Sequence, residues 1–420
     1  MSVTQPKFFP IKTATSCRIK WSQSTVWLNS GKTASCCRAS KSEIGENFDL
    51  FHNTDKKVKS RQQMLLGEWP GDGCEYCGNI ELSGATSERQ FQNQIPDVYP
   101  AELDSNPSAV VVEPSSLEIF FSNTCNLKCI YCSSKFSSSI QAENNKFGGS
   151  IILENEFKYE DNQYNTMVPK FWKWFNTNSI KLQRLQVLGG EPLLQKDVIK
   201  LIDYFEEHPH PNLEFNLVTN LSVPHTQLVK LLDRLSNLVT KKLIKRIDIQ
   251  TSIECWGQGQ EYIRNGVDLD TFDTNMRYML NTGNCRIGLL STINTLSILT
   301  MPDLCNKYLD WNKTQTICWY MHLVMPADDG IFSPLIFDYS VFESSLTQVS
   351  SLLPNKTWDD KMTCDTFLGI TNYLKKNCKD NLPKQKELIA YLNENDRRRN
   401  SNWQTTFPWL KTILEKNNVV

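Results

Sequence analysis

Three cysteines, Cys125, Cys129 and Cys132, stand within eight residues in the spacing CX3CX2C. Three thiolates placed in this way can fold around one face of a cubane iron–sulfur cluster and leave one iron without a protein ligand. Most cysteine-bound clusters use four thiolates, so an outside molecule is expected at the open iron. Zinc is the alternative, but it normally takes a fourth Cys or His ligand, and the nearest His after Cys132 is His208.

Small and polar residues follow the apolar segments downstream of this loop. Residues 186–192 predict a strand that runs into Gly-Gly-Glu-Pro. Gly189 and Gly190 let the backbone approach a ligand closely, because no Cβ stands in the way. Glu191 offers an acceptor for an ammonium group. Two later predicted strands end in small polar residues, Asn220 and Ser252.

The cysteine loop, with Tyr131 before its last cysteine, resembles the signature of the radical S-adenosylmethionine (SAM) enzymes. The resemblance implies that the amino and carboxylate groups of SAM complete a 4Fe–4S cluster on Cys125, Cys129 and Cys132. The electron delivered there cleaves SAM to methionine and a 5′-deoxyadenosyl radical. The cofactor-binding residues that the resemblance implies are Tyr131, Gly189, Gly190, Glu191, Asn220, Ser252 and Arg264.

A second set of cysteines lies in the first ninety residues. Thirteen residues separate Cys17 from Gly31, four separate Gly31 from Cys36, and Cys74 and Cys77 form a CX2C pair. This pattern resembles twitch, the shortened form of the SPASM module, in which a β-hairpin and a helix bind an auxiliary iron–sulfur cluster. The resemblance implies a second cluster, expected to be 4Fe–4S, on these four cysteines, with a hairpin turn at Gly31.

Two features of this module stay open. Cys36 and Cys37 are adjacent, and the glycine spacing favours Cys36 as the ligand. A structural zinc on the same four thiolates is the alternative to a cluster. The module usually follows the barrel in relatives, whereas here it comes first. Segments 67–70 and 84–89 resemble the flanks of a subgroup with an N-terminal twitch.

Strand–helix alternation predicts the scaffold that positions the cysteine loop. Such alternation implies parallel strands joined by right-handed crossovers. Together with the resemblance it predicts an α/β fold, a partial (β/α)6 TIM-like barrel with its functional residues at strand C-terminal ends. Strands are predicted at 117–121, 185–188, 213–218, 246–251, 286–292 and 319–325, and helices at 197–206, 227–235, 269–280 and 302–311.

The chain is predicted to have four parts. Residues 1–90 form the twitch-like cysteine module, and residues 91–116, polar and rich in proline, form a connector. Residues 117–335 form the radical SAM barrel. Residues 336–420 form a helical C-terminal extension in which no chemical motif is found.

Composition indicates where the protein works and which partners to exclude. The formal net charge of the 420 residues is −1, so no global field attracts nucleic acid or an anionic membrane. The basic spots at 241–246 and 397–399 are interpreted as solvated faces. No run of eighteen apolar residues and no signal-peptide core is found. We therefore expect a cytoplasmic protein, in which a reducing environment keeps the cluster thiolates available.

The sequence thus predicts an enzyme that cleaves SAM reductively and abstracts a hydrogen atom from a small-molecule or peptide substrate. The auxiliary cluster is expected to assist oxidation, and an external donor such as flavodoxin or ferredoxin to supply the first electron. Glu254 and Cys255 are candidate acid–base or hydrogen-donor groups, or they pack the loop. The alternatives are a zinc- or iron–sulfur-binding protein with an inactive barrel and an electron carrier without SAM chemistry.

Overall fold

The computed structural model of the chain describes residues 7–82, 87–96, 98–151, 161–324, 330–354 and 357–417. The strands are β1 (Gln23–Trp27), β2 (Lys32–Ala34), β3 (Ser42–Glu43), β4 (Ser116–Phe120), β5 (Lys128–Cys129), β6 (Arg184–Val187), β7 (His210–Thr219), β8 (Ile244–Ser252), β9 (Arg264–Asn265), β10 (Arg286–Ile293) and β11 (Ile317–Leu323).

The helices begin and end as follows. They are α1 (Arg18–Ser22), α2 (Asp55–Leu65), α3 (Glu75–Leu82), α4 (Glu88–Asn93), α5 (Glu102–Ser105), α6 (Ser138–Phe147), α7 (Asp161–Asn178), α8 (Lys196–Glu207), α9 (His225–Thr240), α10 (Gln258–Ile263), α11 (Leu269–Thr282), α12 (Met301–Trp311), α13 (Glu343–Leu352), α14 (Trp358–Asn377), α15 (Leu382–Arg399), α16 (Trp403–Thr406) and α17 (Pro408–Lys416).

The chain divides into two compact units. The first comprises Met1–Asn123, Tyr159–Leu217 and Asn237–Ile247, and the second comprises Thr124–Lys158, Val218–Ser236 and Asp248–Val420. These divisions differ from the predicted boundaries at residues 90, 116 and 335.

The first unit is built on a sheet with the strand order β3–β2–β1–β4–β6–β7. Strands β1, β4, β6 and β7 run parallel to one another. Because successive side chains alternate between the two faces of a strand, Leu117 and Ile119 of β4 share one face, where each is at most 1% exposed. On β7, Phe215 packs its ring 5.5 Å from that of Phe205 in α8. Such aromatic burial anchors helices on the sheet.

The hairpin predicted around Gly31 is confirmed. Strands β1 and β2 pair in antiparallel fashion with Trp27 opposite Lys32, and Gly31 has a φ of 64°, which a glycine adopts at little cost. Strand β1 also pairs in parallel with β4, with Thr25 opposite Glu118. The hairpin between Cys17 and Cys36 therefore continues the sheet of the first unit, a pairing that the sequence analysis did not predict.

Residues 91–116, predicted as a connector, are packed into the first unit. Tyr99, Leu103 and Val112 are buried in one hydrophobic cluster with Phe9 and Trp21. Burial of these few large side chains outweighs the polar, proline-rich composition of the segment. The segment is thus part of the core around the N-terminal cysteines.

The second unit contains the part of β8 from Asp248 onward, which runs parallel to β10, as β10 does to β11. It also contains a short antiparallel pair, β5 with β9. Tyr308 of α12 packs its ring 5.0 Å from that of Trp319 in β11. Helices α13 to α17 confirm that the C-terminal extension is helical. In the part of the chain that the structure describes, no helix has both the length and the apolar character needed to cross a membrane.

Parallel strands separated by helices confirm the α/β class, whereas the partial barrel and the twitch assignment stay predictions. The predicted helix 197–206 corresponds to α8, and 302–311 corresponds to α12. The sixth predicted strand, 319–325, is β11 and ends earlier; Met325 lies outside the described residues. Residues 84–86 of the predicted flanking segment also lie outside them.

Candidate functional site

The loop with Cys125, Cys129 and Cys132 lies in the second unit and is partly buried. Cys129 is buried and the other two cysteines are half-buried, and none of the three is in a disulfide in the described part of the chain. Cys125, Tyr131 and Cys132 pack against a small hydrophobic cluster that includes Cys129 itself. The three predicted cluster ligands thus lie in or against the same hydrophobic cluster. The described residues contain no group of three such side chains placed to bind a metal ion, and the role of these cysteines as ligands stays a prediction.

Three consecutive serines at the start of α6 tie this loop to the helix. Ser137 caps the helix and donates to the carbonyl of Leu127 at 2.7 Å. The hydroxyl of Ser138 accepts from the backbone N–H of Cys125 at 3.1 Å, and Ser139 donates to the carbonyl of Cys125 at 2.8 Å. The sequence analysis missed these residues, although a serine run before a helix is an N-cap signal.

Arg264 lies opposite Cys129 because β5 and β9 pair at these two residues. Its Nη1 donates to Cys129 Sγ at 3.7 Å. Its Nε and Nη2 donate to the two carboxylate oxygens of Glu254 at 2.7 and 2.6 Å, and its guanidinium carbon lies 5.7 Å from the ring centroid of Tyr131. All three nitrogens of the guanidinium thus donate to side chains of this chain, the carboxylate of Glu254 and the thiol of Cys129.

Charge and burial oppose each other at this pair. Burial would lower the pKa of Arg264, but the Glu254 carboxylate outweighs it and raises that pKa above its ordinary value. Burial also raises the pKa of Cys129, and the positive charge of Arg264 acts in the opposite direction. Burial outweighs the arginine, so the pKa of Cys129 lies above its ordinary value, and Arg264 only reduces that rise.

Glu254 and Cys255, predicted as acid–base or hydrogen-donor groups, are both fully buried. Gln260 donates to the Glu254 carboxylate at 3.1 Å, and its carbonyl oxygen accepts from the backbone N–H of Cys255 at 3.0 Å. Burial raises the pKa of the Cys255 thiol. Gln260 is a further site residue that no sequence motif pointed to.

Asn220, predicted from its strand-end position to bind SAM, contacts the cysteine loop, and its role in SAM binding stays a prediction. Its Nδ2 donates to Asn126 Oδ1 at 2.9 Å and to Cys125 Sγ at 3.9 Å. Its Oδ1 accepts from the backbone N–H of Ser222 at 2.8 Å. Ser252 ends β8, opposite Leu290 in the register, and is half-buried.

The Gly-Gly-Glu-Pro turn lies in the first unit. Gly189 has a φ of 81° and Gly190 a φ of 60°, and a Cβ on Gly189 would overlap Phe120 Cδ1. Glu191 is fully buried, and its carboxylate accepts from the backbone N–H of Leu193 at 3.0 Å. The turn therefore requires glycine, and part of the Glu191 carboxylate holds the turn itself. Binding of SAM by these residues stays a prediction.

The N-terminal cysteines gather around the core of the first unit. Cys17 belongs to the hydrophobic cluster that contains Trp21, and Cys36 and Cys74 pack against it. Burial and the neighbouring Cys36 raise the pKa of Cys17 to about 12. Cys37 is exposed, which supports the choice of Cys36 as the ligand.

A buried ion pair accompanies these cysteines. Lys20 Nζ lies 2.5 Å from Asp72 Oδ2, and its positive charge acts on Cys74 and Cys36. Cys77, on α3, is half-buried. Among the residues that the structure describes, no three His, Cys, Asp or Glu side chains are grouped as ligands of a metal ion.

Helix α15 of the C-terminal extension contacts the cysteine loop. Tyr391 donates to the carbonyl of Ile130 at 2.7 Å, and Arg399 donates to the carbonyl of Lys128 at 2.7 Å. Burial would raise the pKa of Glu143, but Arg399 and Lys128 hold it below its ordinary value.

The side chains of Arg398 and Arg399 are only 6% and 3% exposed. The interpretation of 397–399 as a solvated face is therefore wrong at these two residues, because ion pairs and loop carbonyls bury them.

Comparison with known proteins gives one curated relative. No family model matches the sequence. The chain is 26% identical over 250 residues to a GTP 3′,8-cyclase of Clostridium acetobutylicum, a match that covers 57% of this chain and 63% of the cyclase. The chain thus spans less than two thirds of the relative's length.

Solved structures with a weak overall likeness include SuiB of Streptococcus suis. SuiB bound to S-adenosylmethionine has a TM-score of 0.39 and 14% identity, covering 84% of this chain and 70% of SuiB. SuiB bound to the precursor peptide SuiA has a TM-score of 0.34 and 14% identity, covering 90% and 69%. TM-scores this low do not establish a common fold.

Proposed function

We propose that this chain, a member of the radical SAM superfamily, holds an iron–sulfur cluster on Cys125, Cys129 and Cys132 and cleaves SAM reductively. The observation that carries this proposal is the cysteine loop. Its three cysteines lie in or against one hydrophobic cluster, and N–H groups of Asn220 and Arg264 point at the sulfurs of Cys125 and Cys129.

The donor set suits such a cluster. Hydrogen bonds to ligand sulfurs and partial burial are the means by which proteins stabilise and tune iron–sulfur clusters. Three thiolates leave one iron without a protein ligand, and the amino and carboxylate groups of SAM would bind to that iron. With SAM bound there, the cluster would supply one electron for cleavage of SAM into methionine and a 5′-deoxyadenosyl radical.

The chain's own residues bind and orient SAM. In the second unit we assign Asn220 and Ser252 to the ribose and carboxylate. In the first unit we assign Gly189 and Gly190 to close backbone approach, which their positive φ angles support. We assign Glu191 to the amino group of SAM, because its carboxylate oxygens can accept hydrogen bonds from that group.

An auxiliary cluster on Cys17, Cys36, Cys74 and Cys77 completes the proposal. The packing of Cys17, Cys36 and Cys74 around one core supports it, as does the buried cation of Lys20. Four thiolates would leave no open iron. Cys17, Cys36, Cys74 and Cys77 would therefore hold a cluster able to take up an electron from the substrate, and the net reaction would be an oxidation.

The substrate is proposed to be a small molecule or a peptide that gives up a hydrogen atom, and the electron donor a flavodoxin or ferredoxin in the cytoplasm. The cyclase relative makes GTP the first small molecule to test. The alternative function is a zinc- or iron–sulfur-binding protein whose barrel is inactive.

The deciding experiment is anaerobic reconstitution followed by reduction with dithionite in the presence of SAM. The reconstituted protein should release 5′-deoxyadenosine, detected by chromatography. The Cys129→Ala variant should release none, and Cys378→Ala, which alters a thiol outside both sets, should match the wild type. A protein that assembles both clusters and releases no 5′-deoxyadenosine would be the inactive binding protein.

A further inference from the structure

The pair Glu254–Arg264 has a geometry that the sequence motif does not explain. Two nitrogens of Arg264 meet the two oxygens of Glu254 at 2.6 and 2.7 Å. The Glu254 side chain is 0% exposed and that of Arg264 is 10% exposed. An arginine that binds the carboxylate of SAM would need its guanidinium edge free, whereas here a carboxylate of the chain occupies that edge.

The remaining nitrogen of the same guanidinium is aimed at a cluster ligand. Nη1 donates to Cys129 Sγ at 3.7 Å. The pairing of β9 with β5 sets Arg264 directly opposite Cys129, so the backbone fixes the contact as well. Gln260 holds Glu254 from the other side. A carboxylate, an arginine and a thiol therefore form a rigid chain of contacts.

We propose that Glu254 and Arg264 are a positioning pair that orients Cys129 and sets the reduction potential of the cluster held there. This inference rests on the proposed function, because it requires a cluster on Cys129. Hydrogen bonds to ligand sulfurs and nearby charge are the protein's controls over the potential of a cluster. Arg264 supplies both, and Glu254 fixes its orientation and offsets its charge.

The two charges should act in opposite directions. A reduced cluster carries one more negative charge than the oxidised cluster, so a nearby cation favours reduction and a nearby anion opposes it. Glu254→Gln keeps the shape of the side chain and removes the anion, which should raise the potential. Arg264→Gln removes the cation and the hydrogen bond to sulfur, which should lower it.

The experiment is a potentiometric titration of the reconstituted full chain without SAM, followed by electron paramagnetic resonance. At a fixed potential, Glu254→Gln should raise the ratio of reduced to oxidised cluster about tenfold, or about 59 mV for one electron. Arg264→Gln should lower the ratio by a similar factor, and Arg264→Lys, which keeps the charge, should lie between it and the wild type. The matched control is the pair Glu394–Arg397 of α15, in which Arg397 is exposed and Glu394 is half-buried; its Gln variants should not shift the potential.

SAM affinity, measured on the same samples, separates this role from direct binding. If the proposal holds, Glu254→Gln and Arg264→Gln shift the reduction potential in opposite directions, and each changes SAM affinity less than threefold. Loss of SAM affinity in Arg264→Lys with no shift in potential would assign Arg264 to SAM and overturn the proposal. Shifts of equal sign would overturn it too, since they would reflect a loosened site. Variants that fold but assemble no cluster would make the pair an assembly element, again contrary to the proposal. Failure of the wild type to bind a cluster would refute the proposed function itself.

Discussion

The hydroxyl of Tyr391 donates to the carbonyl of Ile130 at 2.7 Å, although 261 residues separate the two in the chain. Ile130 directly follows Cys129, and Lys128 directly precedes it. The carbonyl of Lys128 accepts a hydrogen bond from Arg399, which lies on the same helix as Tyr391. Helix α15 therefore fixes the two peptide carbonyls that flank one proposed cluster ligand. The C-terminal extension, in which no motif was found, is part of the site.

Removing these contacts should loosen the loop without unfolding the chain. Tyr391→Phe deletes one buried hydrogen bond, worth about 1 kcal/mol, so the rate at which a chelator extracts iron should rise about fivefold. The measurement is iron release to a coloured chelator under anaerobic conditions. Tyr373→Phe, at an exposed tyrosine of α14, should release iron at the wild-type rate. Equal rates in Tyr391→Phe and the wild type would show that α15 does not restrain the loop.

The two sets of cysteines predict the iron content of the reconstituted protein. Two cubane clusters contain about eight irons and eight sulfides per chain. The triple variant of Cys125, Cys129 and Cys132 to Ala should keep about half of this content, because the N-terminal set is untouched. Elemental analysis of protein made anaerobically with ample iron measures both. Stoichiometric zinc in place of the N-terminal iron would contradict the auxiliary cluster.

The auxiliary cysteines should be needed for product formation and not for SAM cleavage. A variant with Cys74→Ala and Cys77→Ala keeps the cysteine loop of the second unit, so it should still release 5′-deoxyadenosine with dithionite. Once a substrate is known, it should form no product, because the last electron has no acceptor. Cys37→Ala, at an exposed thiol, is the control and should form product normally. Wild-type product formation by the double variant would leave the auxiliary site a structural role at most.

Gly189 tests the packing of the Gly-Gly-Glu-Pro turn. In Gly189→Ala, a side chain at positive φ costs about 1–2 kcal/mol, and the overlap with Phe120 adds about 1–3 kcal/mol. The free energy of unfolding should therefore fall by about 2–5 kcal/mol in urea titrations.

Gly283→Ala supplies the comparison for that experiment. Gly283 has a φ of 66° with open space around its Cβ position. Gly283→Ala should therefore lower the free energy of unfolding only by the cost of a side chain at positive φ, about 1–2 kcal/mol. Equal losses in the two variants would mean that Phe120 moves aside freely.

Local periodicity was sufficient to predict much of the scaffold. The helix predicted at 269–280 is α11, which begins at Leu269 after the N-cap Asp268, because an amphipathic stripe and its cap lie in one short segment. The cysteine loop was recognised by its local spacing, and Asn220 was proposed from the strand-end position that the family resemblance implies. Arg264 was found by its motif, and its partner Glu254 was noticed only for its position.

What the sequence did not show depends on contacts between distant segments. The pairing of β1 with β4 joins residues about ninety apart in register, and no periodicity encodes which strands become neighbours. The burial of Arg399 follows from Glu143 and the carbonyl of Lys128. A basic run has the same composition whether it is solvated or paired, so only the fold distinguishes the two.

The separation between Ile130 and Tyr391 also has a consequence for synthesis. A ribosome that adds about 5–20 residues per second needs about 13–52 s to make the 261 residues between them. During that interval the nascent loop already carries Cys125, Cys129 and Cys132 and lacks the helix that holds it. Delivery of iron and sulfide to this loop is therefore expected after translation has passed α15, and a chain stalled before that helix should leave the ribosome with its thiols unmetallated.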